Sequence, residues 1–345
     1  MTAPVKCVVW DLDDTLWEGT LPEGDRVRPV PDALALIDRL ERAGIVQSVA
    51  SRNDAHDAAE ALHAHNLCGR FVYAQISWSA KSASLRRIID LLGISADTVV
   101  FLDDSSFERE EVAAGVPGIR CYSLPEFLAL DRTHELIPLK VTTDAARRPA
   151  AYREEASRRE AETVFEGTPI EFLSSLGMRL TIRPAAADDF ERAEELTRRT
   201  NQLNTTGRTF TAAELARYAE TETRDVLVAE LTDRFGDYGR IGLCLLDRAS
   251  EHWTIEVLLM SCRVMGRNIG TAVLGTIGQA AANHGVTLKA LFRPTPRNRQ
   301  IRITYGLLGF RPEGREDDAS VLAHPRPKEL SIPDYVSVQG WGVSN

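Results

Sequence analysis

Short apolar runs alternate with amphipathic helical patterns over residues 6–130. Four of the runs are rich in β-branched or aromatic residues and predict strands; they are 6–10, 45–50, 71–76 and 99–102. The stretches between them repeat apolar residues at helical spacing and predict helices; they are 31–43, 54–66 and 82–92. Strands that alternate with helices in this way are typical of a parallel sheet flanked by helices.

The pattern changes after residue 142. Residues 143–176 are rich in Ala, Arg and Glu and contain few strand-forming residues, which predicts a helical connector. From residue 178 onward strand and helix patterns return, and the segments they predict are 179–183, 187–200, 226–231, 241–246, 253–260, 271–283 and 287–292, followed by a last helix. We therefore predict two α/β domains, 1–140 and 178–345, joined by a connector at 141–177.

The composition fits this picture, with 345 residues, 43% hydrophobic and 26% charged. The formal net charge of -9 argues against a dedicated nucleic-acid-binding protein, whose affinity would come from neutralised phosphates. No apolar run approaches the roughly 18 residues that span a bilayer, and Asp11 interrupts the N-terminus before a signal-like stretch forms. We expect a cytoplasmic protein with neither a nucleic-acid nor a membrane partner.

Acidic residues follow the first predicted strand. Asp11 and Asp13, in the run Asp-Leu-Asp-Asp-Thr, leave the predicted sheet at its carboxyl edge, where open α/β sheets bind ligands. One carboxylate can attack phosphorus while the other handles the proton of the leaving group. The pair therefore indicates phosphoryl chemistry.

Three further polar features follow later strands of the same predicted sheet. The run Ser51-Arg52-Asn53 is placed to hydrogen-bond a phosphoryl oxygen, and Lys81 can offset the charge of a phosphoaspartate. The pair Asp103-Asp104 adds oxygen ligands of the kind that Mg2+ requires. The features together predict a Mg2+-dependent site.

With these four motifs in order, the N-terminal part resembles the haloacid dehalogenase (HAD) phosphatase superfamily. The resemblance implies a Rossmann-like parallel sheet, with Asp11 as the phosphoryl-accepting nucleophile and Asp13 as the general acid and base. The residues implied to hold the phosphoryl group are Ser51, Arg52, Asn53 and Lys81.

The same resemblance implies a Mg2+ site formed by Asp11, Asp13 and the pair Asp103-Asp104. Alignment with the family's apolar-Gly-Asp pattern favours Asp104 as the ligand, with Asp103 where Gly usually stands, although both remain candidates. Glu108 is a candidate for a second acid.

Spacing limits what can cover this site. Only 35 residues lie between Thr15 and Ser51, and only 29 lie between Ser51 and Lys81. Little remains beyond the sheet and its helices, so we predict that no large cap domain is present. An uncapped site accepts a bulky or protein-tethered substrate, or takes its lid from the second domain.

Positive charge is concentrated near the C-terminus. Residues 257–312 contain no Asp or Glu but eight basic residues, which are Arg263, Arg267, Lys289, Arg293, Arg297, Arg299, Arg302 and Arg311. Such a block fits a surface that receives a phosphopantetheine, a nucleotide or an acidic protein. Within it, the stretch 261–270, with Arg263, Gly266 and Arg267, follows a strand and opens a helix, so that its backbone N–H groups face an anion.

Together with Asn298, Tyr305 and the Leu-Gly-Phe at 308–310, this block resembles the GNAT acyltransferase fold. The resemblance implies an α/β domain with a mixed sheet, in which the loop at 261–268 cradles the pyrophosphate of coenzyme A. Asn268 stands where the family pattern has Gly or Ala. That departure weakens a prediction of free acyl-CoA and leaves room for the pantetheine of a carrier protein.

A polar stretch at 200–208 sharpens the resemblance, because its amides and hydroxyls suit a polyol or an amide-rich arm. The candidate binding residues are Asn201, Gln202, Asn204, Thr205 and Thr206. With the runs WDLDDTLWEG, SRND, DRFGDYG and LMSCRVMGR in order, almost the whole chain resembles the FkbH-like enzymes of polyketide pathways. The resemblance implies a bifunctional phosphatase and acyltransferase that takes 1,3-bisphosphoglycerate and places a glyceryl group as a thioester on an acyl carrier protein, for extender-unit or tetronate-type antibiotic biosynthesis.

Five cysteines form no Cys-x-x-Cys pair, so neither a disulfide framework nor a zinc site is predicted. Cys262 is the candidate acyl-carrying nucleophile, because Arg263, Arg267 and a helix N-terminus favour its thiolate. Cys7 is the alternative, although its strand places it roughly 13 Å from Asp11. His252 is a candidate base for Cys262.

The sequence is also compatible with two other functions. The chain can be a plain Mg2+-dependent phosphatase of a small phosphorylated metabolite, with the second domain as lid or scaffold. It can also be a non-catalytic carrier-binding protein, which the Asp11 and Asp13 pair disfavours. The residues do not set the order of dephosphorylation and transfer, the final natural product or the oligomeric state.

Overall fold

The computed structural model describes residues 4–131, 143–199, 203–249, 251–296 and 298–343; for a few of them, Cys262 among these, it describes the backbone only. The chain divides into two compact units, Met1–Val164 and Phe165–Asn345. Each unit is built around its own sheet, with five strands in the first and eight in the second.

The first unit alternates strands with helices. Its strands are β1 (Cys7–Trp10), β2 (Trp17–Glu18), β3 (Arg28–Pro29), β4 (Val46–Ser51), β5 (Gln75–Ile76), β6 (Val99–Leu102) and β7 (Arg120–Tyr122). Its helices are α1 (Pro31–Arg42), α2 (Ala55–Ala64), α3 (Lys81–Leu92), α4 (Ser106–Gly115), α5 (Leu124–Asp131) and α6 (Thr143–Thr163). The sheet order is β5-β4-β1-β6-β7 and every pairing in it is parallel.

Helices cover both faces of this sheet. Because successive side chains of a strand point to opposite faces, Val8 and Trp10 of β1 pack among side chains of α1, α2 and α5, whereas Cys7 and Val9 pack among those of α3 and α4. Local residues set the helix ends. The Asp54 carboxylate accepts the N–H groups of His56 and Asp57 at the start of α2. Between β1 and α1 the chain forms one small antiparallel ribbon, β2 with β3, and no larger insertion.

The last helix of this unit lies inside the stretch predicted as a connector. Arg148 of α6 donates to the carbonyl of Gly44 at 3.0 Å, and the Tyr152 hydroxyl donates to the carbonyl of Leu92 at 2.9 Å. Arg153 pairs with Glu41 of α1 at 2.8 Å. These bonds fasten α6 to the first unit, and the division between the units falls after it, between Val164 and Phe165.

The second unit has a mixed sheet. Its strands are β8 (Met178–Pro184), β9 (Arg224–Asp233), β10 (Gly236–Asp247), β11 (His252–Met260), β12 (Thr287–Phe292), β13 (Arg311–Glu316), β14 (Ala319–His324) and β15 (Val336–Gly340). Its helices are α7 (Pro169–Ser175), α8 (Phe190–Arg199), α9 (Ala212–Ala219), α10 (Ile269–Asn283) and α11 (Arg299–Leu307). The sheet order is β13-β14-β12-β11-β10-β9-β8-β15.

Two neighbouring strands of this sheet diverge. β11 and β12 are parallel and pair only over His252–Ile255 and Thr287–Ala290. Side chains of α8 and α9 pack on one face of β9, β10 and β11, and glycines of α10 approach residues near 330 closely, since a Cβ at Gly278 would lie 2.5 Å from Leu330. The predicted fold class, a parallel α/β sheet without a large cap followed by an α/β domain with a mixed sheet, is confirmed. Among the described residues, no helix has both the length and the apolar character needed to cross a membrane.

Candidate functional site

The acidic motif of the first unit lies where the strand order reverses. β1 is flanked by β4 and β6, and Trp10 lies beside Val49 and Leu102 in register. Asp11 and Asp103, the residues that follow β1 and β6, therefore leave the sheet at the same edge. The Asp11 N–H donates to the Leu102 carbonyl at 2.8 Å. In open α/β sheets this reversal leaves a crevice at the carboxyl ends of the strands, and that crevice is the usual ligand site.

Lys81, the first residue of α3, joins two of these carboxylates. Its ammonium lies 2.8 Å from Asp11 Oδ1 and 2.6 Å from Asp103 Oδ2, and its side chain is only 6% exposed. Burial raises the pKa of Asp11, the Lys81 ammonium opposes that rise, and the negative charge of Asp103 adds to it. The ionised form of Asp11 thus depends on positive charge held next to it.

Three carboxylates can hold a cation here. Asp11, Asp103 and Asp104 each place one oxygen within 4.8 Å of the others, and hard oxygen donors are the ligands that Mg2+ takes in proteins. Asp103 is buried, bonds Lys81 and accepts the N–H of Ser105 at 2.9 Å. The Asp104 carboxylate is exposed and has no partner among the described residues. The geometry therefore favours Asp104 over Asp103 as the open ligand.

Two acids predicted for this cation site are not part of it. Asp13 Oδ1 accepts the indole N–H of Trp17 at 2.8 Å and the N–H of Leu21 at 3.2 Å, and Asp13 Oδ2 accepts Asn53 Nδ2 at 2.9 Å. Glu108 instead pairs with Arg52 at 2.9 Å. Neither side chain belongs to the group of carboxylates whose oxygens lie close enough together to hold a metal ion.

The run Ser51-Arg52-Asn53 begins at the last residue of β4 and contains two buried residues and one that is only partly buried. Ser51 and Asn53 are buried, and Asn53 Nδ2 also donates to Ser51 Oγ at 3.2 Å. Asn53 Oδ1 is buried without a hydrogen-bond partner; as an amide oxygen it can accept a hydrogen bond but cannot donate one to a phosphoryl oxygen. Arg52, predicted as a phosphate ligand, bonds Glu108 and the Ser79 carbonyl.

Two residues that the sequence pattern did not single out fasten the acidic loop. The Thr15 hydroxyl accepts the N–H of Asp104 at 2.9 Å. One guanidinium nitrogen of Arg109 donates to the carbonyls of both Asp103 and Asp104 at 2.7 Å. All three bonds use backbone groups of Asp103 or Asp104, so the residue types at these positions do not predict them. The position of Thr15 at the end of the Asp-rich run is the one available signal.

In the second unit, the predicted arm-binding residues Asn204, Thr205 and Thr206 are buried and serve the backbone. They lie where β11 and β12 diverge. Thr205 N–H donates to the Leu258 carbonyl, and the Leu258 N–H donates to Thr205 Oγ1, both at 3.0 Å. This segment therefore pairs with the end of β11, and the Thr205 hydroxyl is used in that pairing.

Asn298 is a structural residue of the same segment. Its buried Nδ2 donates to the carbonyls of Asn204 and Arg293 at 3.0 and 2.9 Å, and its Oδ1 accepts the N–H of Thr295 at 2.8 Å. The prediction that Asn298 contacts substrate is therefore not supported, because these bonds occupy its amide. Asn201 and Gln202 lie outside the described residues.

In the loop before α10, predicted to face an anion, the backbone N–H groups of Arg263, Val264 and Arg267 bond other residues of the loop. Arg263 donates to the Tyr238 carbonyl at 2.6 Å, and Arg267 donates to the Arg263 carbonyl at 2.7 Å. Gly266 has a φ of 80°. Asn268, at 57°, takes the left-handed conformation that Asn tolerates better than most residues, and its amide donates to the Tyr335 hydroxyl at 2.6 Å.

The cysteine candidates differ in what the structure shows. Cys7 is fully buried in β1, and burial raises its pKa, so its thiol is neither accessible nor ionised. The side chain of Cys262 lies outside the described residues. His252 cannot serve it as a base, because His252 and Met260 lie at opposite ends of β11, roughly 26 Å apart.

The basic block is partly neutralised by acids outside it. Lys289 pairs with Glu313 at 2.8 Å, and Arg293 pairs with Asp318. The locally positive charge read from residues 257–312 is therefore reduced in the fold, whereas Arg299, Arg302 and Arg311 are exposed.

No family model matches the chain, and no curated protein matches it. Solved structures similar to it include the N-terminal part, containing a phosphatase domain complexed with Mg, of a protein from Bacteroides fragilis, with 25% identity, 39% of this chain covered and a TM-score of 0.35. The chain covers 41% of the length of that structure.

Acetyltransferases are also among the similar structures. The ribosomal-protein-S18-alanine N-acetyltransferase of Escherichia coli is 16% identical, with 48% of this chain and 99% of that one covered and a TM-score of 0.34. The PaiA N-acetyltransferase of Thermoplasma acidophilum, in complex with coenzyme A, is 16% identical, with 42% and 97% covered and a TM-score of 0.34.

Proposed function

We propose that the chain is a bifunctional phosphatase and acyltransferase that uses 1,3-bisphosphoglycerate, releases phosphate and loads a glyceryl group as a thioester on an acyl carrier protein. The observation that carries the phosphatase half is the position of Asp11, which shares the ammonium of Lys81 with Asp103 and lies within reach of the open carboxylate of Asp104. The acyltransferase half follows from the order of motifs along the chain.

In the first unit, an oxygen of the Asp11 carboxylate bonds to phosphorus of the phosphate ester at C3, as the bond from that phosphorus to the C3 oxygen breaks; the acyl phosphate at C1 is left for the second unit. Water then hydrolyses the aspartyl phosphate, which restores Asp11 and releases inorganic phosphate. Lys81 offsets negative charge during both displacements. Asp11 and Asp104, with Asp103 beside them, would hold Mg2+, which would supply positive charge for the phosphoryl oxygens.

We propose that Asp13 is the general acid and base that transfers the proton of the departing oxygen. In the structure it is held by Trp17, Leu21 and Asn53. Among the described residues, its Oδ2 accepts only the bond from Asn53, which leaves that oxygen a lone pair for the proton. The same bond links Asp13 to the phosphoryl side of the site through Ser51.

In the second unit, the Cys262 thiolate displaces phosphate from the acyl carbon, so that the C–O bond to phosphate breaks and a C–S bond to Cys262 forms. The thiol of the carrier's phosphopantetheine then displaces Cys262 from the acyl carbon, and its proton passes to the departing thiolate of Cys262. Support comes from the 15-residue helix α10, whose N-terminus carries partial positive charge beside Arg263 and Arg267. Cys262 is proposed as an intermediate carrier of the acyl group; an enzyme-bound adduct that persists in Cys262→Ala would remove it from that role.

The test is release of phosphate from 1,3-bisphosphoglycerate with Mg2+, with and without a phosphopantetheinylated carrier. Without carrier, we expect Asp11→Asn to abolish multiple-turnover release, and Asp97→Asn, an exposed acid of the same unit, to leave it unchanged. Release that carrier does not accelerate, with phosphoglycerate as the sole organic product, would reduce the function to that of a plain phosphatase. Full activity of Asp11→Asn would refute both.

A further inference from the structure

Helix α11 presents an apolar and basic face to solvent. Ile301 and Tyr305 are buried against the second unit, whereas Ile303 is 52% exposed and Leu307 is 84% exposed. Ile303 and Leu307 are four residues apart, so their side chains are neighbours on one stripe of the helix. Few large apolar side chains in the described residues are this exposed.

Positive charge surrounds this stripe. Arg299 and Arg302 lie on α11 itself and are exposed, and Arg311 donates to the carbonyl of Gly306 at the C-terminal end of the helix. Within the parts of the chain that the structure describes, no carboxylate pairs with any of the three. Helix α11 contains no acidic residue. We call Arg299, Arg302, Ile303, Leu307 and Arg311 the α11 patch.

We propose that the α11 patch is the docking surface for the acidic carrier domain, an inference that rests on the proposed function. The carrier domain matches the patch if it presents carboxylates around an apolar side chain: the apolar pair fills the centre of the contact and the arginines meet the carboxylates at its rim. The charge of the patch selects this occupant over a second copy of the chain. A two-fold contact through the patch would bring six arginines together without an acid between them.

The patch is suited to a transient encounter. One helix offers far less than the area of a stable complex, and exposed arginines raise the rate of association more than its lifetime. A carrier that must leave after each loading requires such a surface. Binding should therefore be weak, rapid and sensitive to salt.

The experiment titrates the full chain with an acidic acyl carrier protein in its apo and phosphopantetheinylated forms and measures the Kd. We expect the double variant Arg299→Glu/Arg302→Glu to weaken binding by ~10-fold or more, and Leu307→Gln by a few fold. Arg179→Glu is the matched control. Arg179 is exposed on β8, which lies four strands from β12 in the same sheet, and its reversal should leave Kd unchanged.

Several results would overturn the proposal: equal carrier affinity in all variants, loss of affinity in the control alone, binding of anionic phospholipid vesicles in place of carrier, or a wild-type dimer that the α11 variants dissociate. Glyceryl loading separates this proposal from the function it rests on. If the α11 variants still load the carrier with an unchanged kcat but with a raised KM for the carrier, both the docking surface and the proposed function are supported. Loading that is equal in all variants refutes the patch alone, whereas binding at the patch without any loading refutes the function alone.

Discussion

Replacing Lys81 by methionine removes the one ammonium that faces both Asp11 and Asp103. Its side chain is 6% exposed, and those of Asp11 and Asp103 are 7% and 0% exposed, so water replaces little of the lost interaction. Removing one partner of a buried ion pair costs about 3–5 kcal/mol, because the remaining charge stays buried. For a protein of this size, that corresponds to a fall in Tm on the order of 10 °C.

The assay is thermal unfolding by calorimetry in EDTA and in excess Mg2+, together with phosphate release. Because a cation among Asp11, Asp103 and Asp104 also relieves repulsion between carboxylates, we expect Mg2+ to restore part of the lost Tm in Lys81→Met. Phosphate release should fall by about 10^2 to 10^3 even with Mg2+ present, because the charge next to the phosphoryl group is lost.

The matched control is Lys328→Met, which removes an exposed ammonium from the second unit. Its Tm should change by the equivalent of less than about 0.5 kcal/mol. If Lys81→Met unfolds at the wild-type temperature in EDTA and still releases phosphate at the wild-type rate, the ammonium does not balance these carboxylates, and the reasoning is refuted.

Three further outcomes are expected. Asn298→Ala should lower the free energy of unfolding by about 2–3 kcal/mol in chemical denaturation, because two buried carbonyls lose their donor; an unchanged midpoint would contradict this. Burial acts to raise the pKa of Asp189, but the bond from Arg183 and the N–H of Ala186 outweigh it and the net pKa is lowered. That carboxylate's stabilisation is therefore complete above pH about 4 and is lost as pH falls through its lower folded pKa, so Asp189→Asn should flatten the acid limb of a stability-versus-pH curve. Cys7→Ala should lower stability by about 1–3 kcal/mol yet leave any acyl adduct of the enzyme intact in a mass spectrum; loss of the adduct would implicate Cys7.

The elements recovered from the pattern were those with a buried face. The runs at 6–10 and 99–102 became β1 and β6, whose residues are all buried, and the interval 287–292 matches β12. β13 was missed because every residue of it is exposed, which leaves no apolar alternation to detect. The run at 71–76 was overextended, since only Gln75 and Ile76 pair with β4.

The acidic site was predictable because strand ends meet at one edge of a parallel sheet. Asp11, Lys81, Asp103 and Asp104 could therefore be grouped without coordinates. Side-chain direction was not predictable, because it depends on partners distant in sequence. Arg52, for example, pairs with Glu108, a residue far from it in the sequence.

The polar loop of the second unit misled for a related reason. Amides and hydroxyls suit a ligand, but they equally suit backbone groups left unpaired where two strands diverge. Asn204 and Thr205 take part in hydrogen bonds with the backbone at this place, because β11 and β12 separate after Ile255 and Ala290. Only the strand pairing distinguishes the two uses.

The intact mass of a phosphopantetheinylated acyl carrier protein, after incubation with the chain, 1,3-bisphosphoglycerate and Mg2+, tests the central claim most directly. The account predicts that the carrier gains the mass of one glyceryl group, that the gain disappears with Asp11→Asn or with apo carrier, and that hydroxylamine removes it as expected for a thioester. A carrier of unchanged mass beside free phosphate and phosphoglycerate would contradict the account.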